Sequence, residues 1–382
     1  MNPMVAQIQS LPELIRGVVP SYTDNIRRTL SGDFCRSIQH IYLTGCGDSH
    51  HASIGSQLAF KVLTGITTEA MTSLQFSRYT ADTLRDVERC LVIGASVSGE
   101  VSRTVEGLLL ARKAGAKTLA LTAAPNSRIA KAADFIVDTT QPPFADPAGI
   151  IIPGMRSYVA NQAGLLLIAI HFGEQCGSLS VDEAEKLRIE VSALGDAAEF
   201  TIRKNEALTK KLAEDWSEAD EFIFCGSGPN YASALFSAAK ILEATGDPAT
   251  GQDTEEWAHL QYFAKKVATP TFILTSGDRD ASRAGEIVTA AHAIGRRVAV
   301  AAPLSATAFL SKADVQLPLA DGIREMFSPV ISAIPASLFA AYRAELLKEP
   351  YFRDFGGGRS QEGGGGISRI RTSETLGLEF LD

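Results

Sequence analysis

Cysteine is scarce and scattered in this chain: Cys35, Cys46, Cys90, Cys176 and Cys225 among 382 residues, with no CxxC spacing and no histidine partners. That argues against a disulfide framework and a zinc site and for reduced thiols, Cys90 and Cys225 lying inside apolar strand-like runs. No stretch approaches the roughly 18 unbroken apolar residues that a bilayer span needs. The N-terminus, MNPMVAQIQS, lacks a basic segment leading into an apolar one, so the expected location is the cytoplasm. Lys/Arg clusters are absent too. With a net charge of −8 this argues against nucleic acid and anionic membranes, while local basic groups remain free to bind a small anion. No GK[ST] occurs, so there is no Walker loop. The Gly-Cys-Gly turn has His50 where a third glycine would complete a dinucleotide fingerprint. No residues form a ligand set for a metal, and no cofactor is expected.

What is present is an α/β plan, written twice. With 45% hydrophobic and 21% charged residues the chain can bury about two domain cores. Apolar strand-like runs alternate with amphipathic helical stretches, as in parallel sheets covered by helices. IYLTGCGDSHHASIGSQLAFKVL reads as strand, glycine turn and helix, and so does FIFCGSGPNYASALFSAAKILEA, with Gly47 and Gly228 181 positions apart. Arg103 pairs with Arg283, Gly115 with Gly295 and Asp134 with Asp314 at an offset of 180. A nearly constant offset of this extent marks an internal duplication. The expected organisation is an N-terminal helical segment (1–35), a first lobe (36–180), a helical connection (181–215), a second lobe (216–349) and a tail (350–382). The tail holds eight glycines and the arginines Arg353, Arg359, Arg369 and Arg371, and has no helical period.

Ser96-Val97-Ser98-Gly99-Glu100 follows one strand and precedes a helix that begins near Val101. The carboxyl ends of parallel strands carry ligands, and a helix N-terminus presents N–H groups to an anion. Ser49, in the neighbouring Cys46-Gly47-Asp48-Ser49 turn, would complete such a cradle; two serines ahead of a helix are as readily simple caps. In the second half, Lys240 and Glu243 share one face of a largely apolar helix. By residue type this is an ordinary salt bridge; functionally, a desolvated carboxylate there would carry a proton. His259 in EEWAH is one of six histidines, and a lone histidine is structural more often than not.

TGCGDS, SVSGE, GSGPNYASALFSAAKILEATG, and EEWAH placed 16 residues after Glu243 together resemble the sugar isomerase (SIS) domain proteins. Within them they are similar to the double-SIS group that includes the isomerase half of glucosamine-6-phosphate synthase, over about Ile41 to Pro350. The resemblance implies two tandem flavodoxin-like, three-layer αβα lobes. It implies that Cys46, Gly47, Asp48, Ser49, Ser96, Val97, Ser98 and Val101 line the anion end of the substrate. Glu243 would move a proton between C1 and C2, Lys240 would stabilise the enediolate, and His259 would help open the ring, reaching the site from a second subunit of a homodimer. No metal is required for such a step.

Three departures from the family pattern bear on substrate. Val97 and Val101 replace hydroxyl or polar residues, with Arg103 or Arg156 as compensation, so a sulfonate fits the sparser cradle as well as a phosphate does. No lysine follows Lys348, whereas amino-sugar-forming members use one for a Schiff base; arginine stays protonated and cannot replace it. No amide-nitrogen transfer is expected, nor an N-terminal glutaminase domain, and the tail reads either as a glycine-hinged lid with Arg359 on the anion or as a disordered end. The second lobe's Ser276-Gly277-Asp278-Arg279-Asp280 carries acids that would repel phosphate, so one site per chain is expected, from the first lobe's loop and the Glu243 helix. The leading expectation is an aldose–ketose isomerase of a 6-anionic hexose. Its rivals are a fructosamine or glucosamine 6-phosphate deglycase or deaminase and a non-catalytic sugar-phosphate sensor.

Overall fold

The computed structural model describes residues 2–307, 310–360, 370–373 and 376–378. Two compact units emerge: one of 1–13, 144–156 and 193–354, the other of 14–143, 157–192 and 355–382. The chain crosses between them five times, once within the 35-residue helix Val181–Asp215.

In the second of these units, which holds most of the first half of the sequence, strands β1 (His40–Gly45), β2 (Thr67–Thr72), β3 (Cys90–Ala95), β4 (Lys117–Thr122) and β5 (Phe135–Asp138) form one sheet in the order β2-β1-β3-β4-β5. Every pairing is parallel. This is the flavodoxin-like order, whose switch point falls between the carboxyl ends of β1 and β3. All of CLVIGA in β3 is buried, so helices must cover both faces. On one face, Val92 and Ala120 pack with Phe76, Val105 and Leu108. On the other, Leu121 meets Gly164 of the Arg156–Gln175 helix, where a Cβ would stand 3.1 Å from a leucine methyl.

The other unit repeats the plan. Strands β6 (Phe222–Gly226), β7 (Ala249–Asp253), β8 (Thr271–Leu274), β9 (Val298–Pro303) and β10 (Val315–Leu319) run β10-β9-β8-β6-β7, the same order read from the opposite edge. These pairings are parallel as well. The duplication reaches single torsions: Gly47 sits at φ 54°, ψ −129° and Gly228 at φ 54°, ψ −128°, each as the N-cap of the helix after the first strand. It also reaches side-chain bonds. Asp134 accepts the Thr118 N–H at 3.0 Å, and Asp314 accepts that of Val298 at 2.7 Å. Arg103 and Arg283 each bind the glutamate three residues on, Glu106 at 2.5 Å and Glu286 at 2.6 Å.

The five cysteines are free thiols. Burial pushes the Cys35 thiol up to about 12 and the Cys90 thiol to about 11, which makes both poor nucleophiles. Among the described residues one helical stretch, Pro329–Leu347, is long and apolar enough to cross a membrane, and most of it is buried within the protein. Of the tail, Arg369 and the glycine run 363–366 lie outside the described residues.

Candidate functional site

The first-half candidates gather at the carboxyl ends of β1 and β3. Gly47 turns the chain out of β1 and starts the Asp48–Thr64 helix, placing Ser49 in its first turn. Ser96-Val97-Ser98-Gly99-Glu100 turns the chain out of β3 into the helix Ser102–Ala114, whose N-cap, Val101, brings no side-chain hydrogen bond. Gly99 fixes this loop at φ 69°. A Cβ there would stand 1.8 Å from Ser127 Oγ and 2.4 Å from Ser127 Cβ, while the Gly99 carbonyl accepts the Ile129 N–H. Gly99→Ala is therefore expected to cost about 3 kcal/mol, from left-handed backbone strain plus overpacking. Urea denaturation checks this; an unchanged midpoint would show that the loop is not anchored here.

All three cradle serines use their oxygen as acceptor. Ser96 Oγ accepts the Gly99 N–H at 3.2 Å, Ser98 Oγ the Glu100 N–H at 3.4 Å, and Ser49 Oγ the Asn161 Nδ2–H at 3.3 Å. A hydroxyl has one proton to give, so accepting leaves that proton for a ligand oxygen. Ser53 and Ser56 on the same helix differ: both donate to the carbonyl four residues back.

The second half's matching loop is wired in the opposite sense. Thr275 Oγ1 donates to Asp280 Oδ1 at 2.7 Å, and Ser276 Oγ lies 3.5 Å from both Asp280 Oδ1 and Glu325 Oε1. Burial raises the Asp280 and Glu325 carboxyls above their ordinary range, against the hydroxyls on Asp280 and the Arg279 charge beside Glu325. Hydroxyls spent on internal carboxylates do not bind an anion.

Lys240 and Glu243 lie on the helix Pro229–Ala244 and form an ion pair. Lys240 is fully buried, its Nζ 4.6 Å from the centre of the Phe236 ring, while the Glu243 side chain keeps 22% of its exposure. This is unlike a solvated surface salt bridge: a buried ammonium needs its counter-charge, and it holds the carboxylate in place. His259 ends the short helix Thr254–His259 with 67% of its side chain exposed and Nε2 3.1 Å from Glu255 Oε1. Glu255 is itself held below the usual carboxylate range, first by Arg283 and then by His259. Leu260, Tyr262 and Phe263, which follow His259, are exposed apolar side chains.

A family model described as "SIS domain" matches residues 35–169. Residues 35–169 form a SIS domain. Over 347 residues the chain is 27% identical to the glutamine–fructose-6-phosphate aminotransferase (isomerizing) of Gloeobacter violaceus, covering 89% of this chain and 55% of that protein. It thus spans about half the length of the curated relatives it matches. In fold it is similar to the C-terminal domain of glucosamine-fructose-6-phosphate aminotransferase from Francisella tularensis, with TM-score 0.75, 18% identity and coverage of 90% and 96% of the two chains. The glucosamine-6-phosphate deaminase of Thermotoga maritima matches with TM-score 0.68 at 17% identity, over 92% of this chain and 97% of that one.

The two arginines read as compensating for Val97 and Val101 are engaged elsewhere. Arg103 of the SIS domain is bound to Glu106, and Arg156 donates to Ser10 Oγ at 2.7 Å and lies over the Phe144 ring. Arg359 is exposed, at the end of a short 3-10 turn. Burial is the strongest influence on Glu106 and opposes its charge. Arg78, the Gly377 N–H and Arg103 outweigh it and hold this fully buried carboxyl below the usual range. Arg128, which the sequence reading missed, stands at the edge of the loop: its N–H donates to Glu100 Oε1 at 3.2 Å and its Nη1 to Ser102 Oγ at 3.3 Å. The signal for it is its place after β4, at a third strand end on the carboxyl side of the sheet. Asn161 was missed as well. Burial lowers the pKa of His50 beside the first turn.

Proposed function

We propose that the chain is an aldose–ketose isomerase of a hexose that carries an anion at C6. The single observation that carries this reading is the wiring of the hydroxyls: Ser49, Ser96 and Ser98 all accept and keep their protons for a ligand, at the switch point of a SIS domain. In this reading the three serines bind the C6 anion. Glu243 takes the proton from C1 of the open-chain ketose to give an enediolate across C1 and C2, the hydroxyl proton of O1 passes to O2, and Glu243 returns its proton to C2 to give the aldose. Lys240 fixes the carboxylate and offers positive charge to the developing oxyanion. His259 assists ring opening from the partner of a homodimer, a role supported by its exposure and by the apolar side chains next to it. With Val97 and Val101 the cradle has few donors, which suits a sulfonate as well as a phosphate.

Purified protein offered fructose 6-phosphate, 6-sulfofructose and fructosamine 6-phosphate, with products followed by NMR, tests the proposal. The expected result is aldose from one of the first two and no release of amine. Ammonia or free amine as the main product would replace the isomerase with a deaminase or deglycase, and tight binding without turnover would replace it with a sensor.

A further inference from the structure

Ser49 owes its arrangement to a residue far away in the chain. Asn161, 112 positions on, lies in the helix Arg156–Gln175, is 1% exposed, and points Nδ2 at Ser49 Oγ. A serine inside a helix can turn its proton back to the carbonyl three or four residues earlier. Ser53 and Ser56 of this same helix do so, at 2.9 Å each. Ser49 does not; it receives the amide N–H instead, which occupies a lone pair and leaves its proton unspent among the described residues. Next to Asn161 on this helix, Gln162 Nε2 donates to Tyr158 OH at 2.9 Å.

The duplicated half supplies a natural control. Asn230 occupies the place of Ser49, at the 181-position offset that relates Gly47 to Gly228. There the amide sits on the first helix and serines face it: Ser332 Oγ donates to Asn230 Oδ1 at 2.6 Å and Ser328 Oγ at 3.3 Å. Serine and asparagine have changed sides, and the serine protons are consumed. The seam is the same but its polarity is reversed: Ser49 accepts from the amide in the first half, and Ser328 and Ser332 donate to it in the second.

We infer that Asn161 is the positioning residue of the anion site: by donating to Ser49 it sets that hydroxyl as a donor toward the substrate anion. This rests on the reading of Ser49 as an anion contact. Asn161→Leu removes the donor at similar volume. It should weaken fructose 6-phosphate binding about tenfold, the scale of one hydrogen bond to a charged group, and raise KM with little change in kcat. Asn161→Asp, of the same shape, should weaken binding more, because a carboxylate takes the Ser49 proton and adds negative charge.

The test is calorimetric binding of fructose 6-phosphate and of inorganic phosphate to wild type, Ser49→Ala, Asn161→Leu, Asn161→Asp and the double variant Ser49→Ala/Asn161→Leu, with thermal unfolding of each. The expected result is that the Asn161→Leu loss disappears in the Ser49→Ala background. Equal losses in both backgrounds, or Asn161→Asp binding as well as wild type, would overturn the inference while leaving the cradle intact. An unchanged affinity in Ser49→Ala would remove the cradle reading itself and this inference with it.

Discussion

Glu243→Gln is expected to lower kcat for isomerisation by about a hundredfold to ten-thousandfold, the range that a positioned general base supplies. KM for the anionic sugar should stay within about twofold, because an interaction used only in the transition state leaves ground-state binding alone. The substitution keeps shape and hydrogen bonding but removes the charge. It also removes the Glu243 charge from beside the fully buried Lys240, so the fold pays a part of the roughly 3–5 kcal/mol that breaking a buried pair costs, reduced because Glu243 is partly exposed. Rates are therefore compared well below the unfolding midpoint of the variant. Steady-state kinetics on the accepted substrate checks the prediction. A variant with near-normal kcat would take Glu243 out of the chemistry and return it to the ordinary helical salt bridge that its spacing also describes.

The second large effect is restoration of activity by mixing two inactive proteins. If His259 serves the Glu243 of the partner subunit, then in a Glu243→Gln/His259→Ala heterodimer one of the two sites has both wild-type residues. Random exchange makes half of the dimers mixed, so activity should return to about a quarter of wild type, as twofold symmetry requires. Both parents alone should be near background. The assay is unfolding and refolding the proteins together at equal concentrations and measuring turnover. No recovery, with heterodimers present by native mass spectrometry, would mean that His259 acts within its own chain or not at all. The structural motive is direct: the His259 side chain is 67% exposed and is followed by exposed Leu260, Tyr262 and Phe263. An imidazole that stays in water on its own chain needs another surface to enter a desolvated site.

The duplication was legible because it is a local pattern repeated. Glycine turns, strand-length apolar runs and the aspartates at 134 and 314 each answer to neighbours within about twenty residues, and the structure realises them as paired torsions and paired hydrogen bonds. The serine cradle was legible in part for the same reason, since strand–turn–helix fixes where Ser49, Ser96 and Ser98 fall. Which way each hydroxyl is wired was not, because Asn161 approaches Ser49 from a helix 112 residues later. Burial of Lys240 was likewise hidden: helical spacing places it beside Glu243 without saying that the face is covered. The pairing of Arg103 was within reach. Glu106 stands three positions on, the spacing at which helical side chains meet, and that favours an internal ion pair over an anion contact. Arg156 offered no such signal, since its partner Ser10 lies 146 residues away.

The central claim, that this chain moves a proton between C1 and C2 of an anionic hexose, is tested most directly by solvent exchange. Wild-type protein is incubated in deuterated buffer with fructose 6-phosphate and, separately, with 6-sulfofructose, and deuterium at C1 and C2 is read by NMR. The account predicts incorporation into one of these sugars, lost in Glu243→Gln. Failure to exchange either sugar under conditions where the protein binds it would contradict the proposed reaction.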